Sequence, residues 1–278
     1  MYDLRHPPSV CRRQPVLSCA ALILSAALAA VSWIALAAPS PVAAKDVKDD
    51  TSRLLGQAQK LVAAGQADSA LSLLRPPILR GAGDGRLERG LVETALAGGI
   101  PELGVGVIEE SLRLRPGDLN LHIALGELEL GRQRPEVAVR HFQRAIIIDS
   151  ASPAAIGGFA RARARQGTDI QPAISYLDKL AQLRPGTPVP RYGMGVLLAE
   201  TGRVEESLTE FRWAIGLEEN SWFFECDYGR ALLAQGNEKV GLEHLEKAQR
   251  LVAESGDPVT AERIAAEIRA RQGGDKKN

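Results

Sequence analysis

The sequence predicts an all-α chain, a solenoid of stacked helix–turn–helix units closed by a C-terminal helix, preceded by a separate N-terminal segment. Three observations carry this. Asp50, Asp84, Asp118, Ser152, Thr187 and Ser221 recur at intervals of 34 or 35 residues, and all are types whose side-chain oxygen caps the first amides of a helix. A second series, Gly65, Gly99, Gly167, Gly202 and Gly236, runs in phase with the first and is broken only by Gln133. Each member falls where the turn between two helices needs a residue that tolerates positive φ. A repeated cap and a repeated mid-unit turn at this period describe a stack of paired helices.

Along the chain, the N-terminal segment comes first. Arg5, Arg12 and Arg13 precede an uncharged run whose apolar centre is Leu17–Ala38, 22 residues. As helix this spans roughly 33 Å, about the hydrocarbon thickness of a bilayer. Ala35-Leu36-Ala37 also offers a small-x-small cleavage site, so a retained anchor and a cleaved signal peptide both remain open. Residues 1–38 are thus read as a cytoplasmic stub with a signal or anchor, and membrane association as running through them. The arginines ahead of the span place the rest of the chain outside the cytoplasm, in the periplasm or its equivalent. Arg12-Arg13 reads as ordinary charge ahead of the span rather than a twin-arginine signal, and Cys19 as a small residue within it. Residues 39–50, with two prolines, two alanines and mixed charge, read as a linker.

Six units follow over residues 51–255, divided as 51–84, 85–118, 119–152, 153–187, 188–221 and 222–255. The third sets Leu125-Gly126 in its first helix, then Ala138, Phe142 and Ala145 in its second; the fifth sets Met194, Gly195 and Leu198, then Phe211 and Ala214; the sixth sets Tyr228, Gly229 and Leu232, then Leu245 and Ala248. Arg115-Pro116-Gly117-Asp118 and Arg184-Pro185-Gly186-Thr187 close two units with a helix-stopping proline. Residues 256–278 supply a capping helix and polar tail: Asp257-Pro258 begins a helix, and Ala261, Ile264, Ala265 and Ile268 form an apolar stripe to cover the last unit.

These residues resemble the tetratricopeptide repeat family, whose pattern is W-x₂-L-G-x₂-Y, then A-x₃-F, then P, over 34 residues. No unit matches fully; the tryptophan position holds Leu54, Glu88, His122, Ile156, Arg191 and Glu225. The resemblance implies a right-handed superhelix whose first helices line a concave groove for a protein or peptide partner. Carried onto this chain, the groove residues are Arg86, Arg89, Asn120, Arg161, Arg165, Tyr192, Phe223 and Arg230. Unit position 6 reads Gly56, Gly90, Ala124, Gly158, Gly193 and Asp227, either for close packing of neighbouring helices or as a groove floor left open for a ligand. Some members hold a partner's terminal carboxylate with a set of Lys, Asn and Arg; the early groove here offers no lysine and one asparagine, Asn120.

The composition excludes other classes. Net charge is zero with no basic stripe, which argues against nucleic acid as a partner. Three cysteines, Cys11, Cys19 and Cys226, are too few and scattered for a disulfide framework or a metal site. His122, His141 and His244 fall in three different units without a nucleophile or acid in a recognisable catalytic arrangement. Gly81-Ala82-Gly83-Asp84-Gly85 lacks the lysine of a phosphate loop and reads as a turn between units. The expectation is a non-enzymatic interaction scaffold of the cell envelope, without cofactor or metal, whose oligomeric state the sequence leaves open. The alternatives are a structural subunit of a permanent envelope complex, with its convex surface also buried, or an enzyme without a recognisable motif.

Overall fold

The structure, a computed structural model, describes residues 41–81 and 85–274. The N-terminal stub, the apolar span with Cys11 and Cys19, the cap Asp84 and the last four tail residues lie outside the described residues. Thirteen helices occur among the described residues: α1 Pro41–Ala63, α2 Ala67–Arg80, α3 Arg86–Ala97, α4 Pro101–Leu114, α5 Leu119–Gly131, α6 Pro135–Ile148, α7 Pro153–Arg165, α8 Gln171–Leu183, α9 Val189–Glu200, α10 Val204–Leu217, α11 Trp222–Ala234, α12 Glu238–Ser255 and α13 Pro258–Gly274. Helices α1 to α12 are six consecutive pairs, so the chain from residue 46 onward is an α-solenoid folded as one compact unit. No helix among the described residues is long and apolar enough to cross a membrane.

The turns follow the glycine series more faithfully than the helix starts follow the caps. Gly65, Gly99, Gly167, Gly202 and Gly236 all have positive φ, and Gln133, which breaks the series in residue type, has φ 59°. It is the one non-glycine with positive φ among the described residues. The turn imposes the left-handed conformation, and an L side chain there costs about 1–2 kcal/mol. Gln133→Gly therefore relieves strain at a position where the chain already turns. The expected gain is about 0.5–1 kcal/mol after the entropy of an added glycine, read as a higher midpoint in urea; a loss of stability shows that the Gln133 side chain contributes more than its backbone costs.

Of the capping residues, Asp118 accepts from the amides of Asn120 and Leu121, and Ser152 accepts from Ala155. Asp50, Thr187 and Ser221 depart from expectation. Ser221 stands at the start of α11 in extended conformation but caps no amide with its side chain. Thr187 lies one residue too early; Pro188 holds the cap position, and the Thr187 hydroxyl donates back to the Arg184 carbonyl at 2.7 Å. Asp50 is inside α1, because that helix begins at Pro41 and runs through residues read as a linker. After Pro41, which is tolerated in a first helical turn, no proline or glycine interrupts residues 42–50.

The core forms three contiguous clusters. The first unites Leu55, Leu74, Ile78, Leu91, Ile108 and Leu128 of α1–α5; the second unites Phe142, Phe159, Tyr192, Phe211 and Phe224 of α6–α11; the third joins Leu245 and Val252 of α12 to Ile264 and Ile268 of α13. Small residues at unit position 6 serve this packing. A Cβ on Gly90 would lie 2.1 Å from Leu55 Cδ2, one on Gly158 2.2 Å from the Phe142 ring, and one on Gly193 2.4 Å from Ile156 Cγ2. These three glycines are filled by neighbouring side chains, so the open-floor reading is corrected to close packing. A leucine at Gly158 or Gly193 would collide with the core rather than block a ligand.

Candidate functional site

The site is created where the array closes on itself. At the end of α12, Gly256 takes the left-handed conformation and turns the chain into α13. Asp257 caps α13, accepting from Thr260 N at 3.1 Å and Thr260 Oγ1 at 2.9 Å. This joint is held by the opposite end of the array. Arg86 donates to the Gly256 carbonyl, Ser52 Oγ lies 3.4 Å from the same oxygen, and Arg89 pairs with Asp257 Oδ2 at 2.8 and 2.9 Å. Val259 belongs to the core cluster of the first units, while Ile264 and Ile268 pack with Cys226, Leu233 and Leu245 of the sixth. Arg230 completes the closure with Glu267 at 2.7 Å. Helix α13 covers the last unit as expected, and it also clasps the first two.

Inside the closure the first helices surround a cavity of about 510 Å³. Arg89, Asn120, Arg161, Arg165, Phe223 and Arg230 line it, as do Glu93, Glu127, Glu200 and Asp227. Six of the eight residues assigned to the groove are thus brought together, and two are not. Arg86 is buried in the joint with Gly256. Tyr192, assigned to the groove, is fully buried among Phe211 and Phe224, with ring centroids at 6.1 and 4.8 Å. Its place on a first helix pointed to the groove, but in this unit the side chain turns into the core.

Tyr192 stays paired through Asp227, a residue the sequence reading did not select. Asp227 accepts from Tyr192 OH at 2.7 Å, from Arg230 at 3.1 Å and from Arg161 at 3.4 Å. Burial, then the adjacent Asp227 carboxylate, hold the Tyr192 phenol proton well above its ordinary range. Burial opposes the charge on Arg161, but Tyr192 and Asp227 outweigh it and the guanidinium holds its proton more tightly than usual. A signal for Asp227 was present: it is the only member of the position-6 series that is neither Gly nor Ala. Among the described residues Arg165 differs from its neighbours, being exposed at the cavity without a carboxylate partner.

Glu93 is the strained group of the site. Its side chain is mostly buried, and Arg263 Nε stands 3.5 Å from Oε1 but makes no hydrogen bond, leaving that oxygen buried without a donor. Burial lifts the carboxyl to about 7; Arg263 and Arg89 oppose the rise, and Asp257 and Glu127 add to it. Because the folded state holds this proton more tightly, stability is full below about pH 4.5 and falls as pH rises to about 7. The cost above that range is on the order of 3 kcal/mol. Glu93→Gln is expected to remove it, raising the urea midpoint at about pH 8 and leaving it unchanged near pH 4.5; equal gains at both pH values would disprove this assignment.

The histidines and the cysteine of the described residues are each held by their neighbours. His122 and His141 stack at 5.7 Å, and burial followed by His122 lowers His141 to about 4, so it is neutral at pH 7. His244 Nδ1 lies 2.5 Å from the buried Glu225, which Lys247 also contacts at 2.7 Å. Burial raises Cys226 to about 12, leaving it a thiol rather than a thiolate at neutral pH.

No family model matches the chain, and no curated protein matches it. Among solved structures it is similar to MamA from Desulfovibrio magneticus RS-1, at 17% identity, covering 62% of this chain and 97% of that one with a TM-score of 0.34. A tetratricopeptide repeat protein from Parabacteroides merdae shares 12% identity over 80% of this chain and 93% of its own, with a TM-score of 0.40. YrrB, a TPR protein with an unusual peptide-binding site, shares 15% over 63% and 91%, with a TM-score of 0.32. The helix pairs described above, rather than these likenesses, establish the solenoid.

Proposed function

We propose that this protein is a tetratricopeptide-type, non-enzymatic scaffold that holds a protein or peptide partner outside the cytoplasmic membrane, as an exported or membrane-anchored component of cell-envelope assembly. The observation that carries the partner-binding reading is the convergence of first helices from separate units on one polar cavity with an unpaired guanidinium, Arg165, at it. Guanidinium forks pair well with carboxylates, and about 510 Å³ suits a chain end or a few side chains better than a whole helix. An acidic side chain or terminus of the partner is the natural occupant. A photo-crosslinking residue at position 165 of the full chain should trap a partner in solubilised membranes, and the same probe at the exposed Lys239 of α12 should not. Equal trapping at both sites, or none at 165, removes the cavity reading.

The envelope reading is supported by the arginines preceding the Leu17–Ala38 span. A reporter fused after Asn278 should work only if it needs export; full activity of a strictly cytoplasmic reporter there would overturn it. A permanent structural subunit is a second reading, favoured by the second helices, where Leu114, Ile147 and Leu183 are 66%, 82% and 78% exposed. Stoichiometric co-purification that resists salt would select it over transient binding.

A further inference from the structure

Ion pairs are unevenly distributed around the wall of the central cavity. On the side where the array closes, the charged lining residues are matched within the chain. Arg89 pairs with Asp257 at 2.8 Å, and Glu93 with Arg263 at 3.5 Å. Arg230 pairs with Glu267 at 2.7 Å, and Asp227 serves both Arg230 at 3.1 Å and Arg161 at 3.4 Å. Three charged lining residues are left over: Glu127 of α5, Arg165 of α7 and Glu200 of α9. Among the described residues, none of these three side chains makes a hydrogen bond or an ion pair. Glu127 acts on Arg161 and Glu93 only through its field.

The leftover charges stand on three successive first helices and have opposite signs. Glu127 is half-buried, whereas Arg165 and Glu200 are exposed at the cavity. A concave wall thins the water around such groups and strengthens their field, so an occupant bringing the opposite charges gains more there than on an open surface. An acid alone would satisfy Arg165 and add its own charge to the two carboxylates; a base alone would leave Arg165 as it is. We propose that the partner segment held in the cavity carries both signs, its acid on Arg165 and a lysine or arginine on Glu127 and Glu200. This rests on the reading of the cavity as the partner site and deepens it by naming the second charge the partner must bring. Asn120 of the same wall is half-buried, and its side-chain amide, which both donates and accepts, suits the backbone between the two charged side chains. Arg89, Arg161 and Arg230 stay with their carboxylates and hold the closure.

The test is a random peptide library displayed on phage and selected against the full chain. The expected winners carry Asp or Glu together with Lys or Arg. Binding of a synthetic winner should fall about tenfold with Arg165→Gln, and about tenfold with the double change Glu127→Gln and Glu200→Gln. Alanine in place of the winner's acid or of its base should have the same effect. Because the three side chains lack partners within the chain, these variants should unfold at the parent's urea midpoint; a lowered midpoint would show that the groups hold the fold and would overturn the proposal. Acidic winners that need Arg165 but are indifferent to the double change would overturn it while leaving the cavity reading intact. An empty selection, or winners indifferent to every variant, would overturn it as well. The cavity reading fails separately, if the crosslinker at position 165 traps nothing.

Discussion

A chain shortened to end at Gly256 is expected to lose most of its stability and to self-associate. Val259, Ile264 and Ile268 are 6% exposed or less, and burial of each contributes roughly 1.5–3 kcal/mol, so together they supply about 4.5–9 kcal/mol. The same deletion strips Arg89 of Asp257 and Arg230 of Glu267, leaving two partly buried guanidiniums each short of a partner. Domains of this size are stable by about 5–15 kcal/mol, so the loss is a large part of the whole. Two separate core surfaces are uncovered, one on the first units and one on the sixth, and exposed apolar patches of that kind drive association. Thermal unfolding and light scattering of the shortened chain measure both effects. A monomer with an unchanged midpoint would show that α13 neither caps nor clasps. Val259→Ala separates the two roles, because it touches only the first-unit cluster. It should loosen the closure at a cost of about 1–2 kcal/mol while the sixth unit keeps its cover.

The second large effect is expected at Asp227. Asp227→Ala leaves Arg161 and Tyr192 OH facing each other without the carboxylate that both contact, and removing one member of a buried charged network costs about 3–5 kcal/mol. Asp227→Asn retains an acceptor for Tyr192 and should cost clearly less. Tyr192→Phe alone should cost about 1 kcal/mol, and combined with Asp227→Ala it should add less than its own cost, since one interaction cannot be lost twice. Urea titration of the four proteins tests this; an Asp227→Ala variant within about 0.5 kcal/mol of the parent would mean that water replaces the carboxylate.

Legibility differed by the range of the interaction involved. The glycine series was readable because a turn between two helices constrains φ locally, and even Gln133 obeys the turn against its own preference. Caps were readable only in part. Asp118 and Ser152 cap as expected, whereas Thr187 yields to the following Pro188, and Asp50 is overrun by helix-compatible residues before it. Positions on the first helices placed six residues at the cavity, but they could not say which side chain turns inward. Tyr192 does so because Gly157 leaves room for its hydroxyl, which a Cβ there would approach to 2.6 Å, and because Asp227 receives it.

By itself the sequence determined the repeated unit, the turns, most of the core and the pool of charged residues on the first helices, because all of these depend on neighbours within about one unit. Only the tertiary structure decided that Arg89 meets Asp257 and that Glu93 faces Arg263. In a solenoid each unit is rotated slightly against the last, and the curvature is the sum of those rotations. No local pattern encodes that sum, yet it determines whether the first units and α13 touch, and with that contact come the cavity and the raised carboxyl at it.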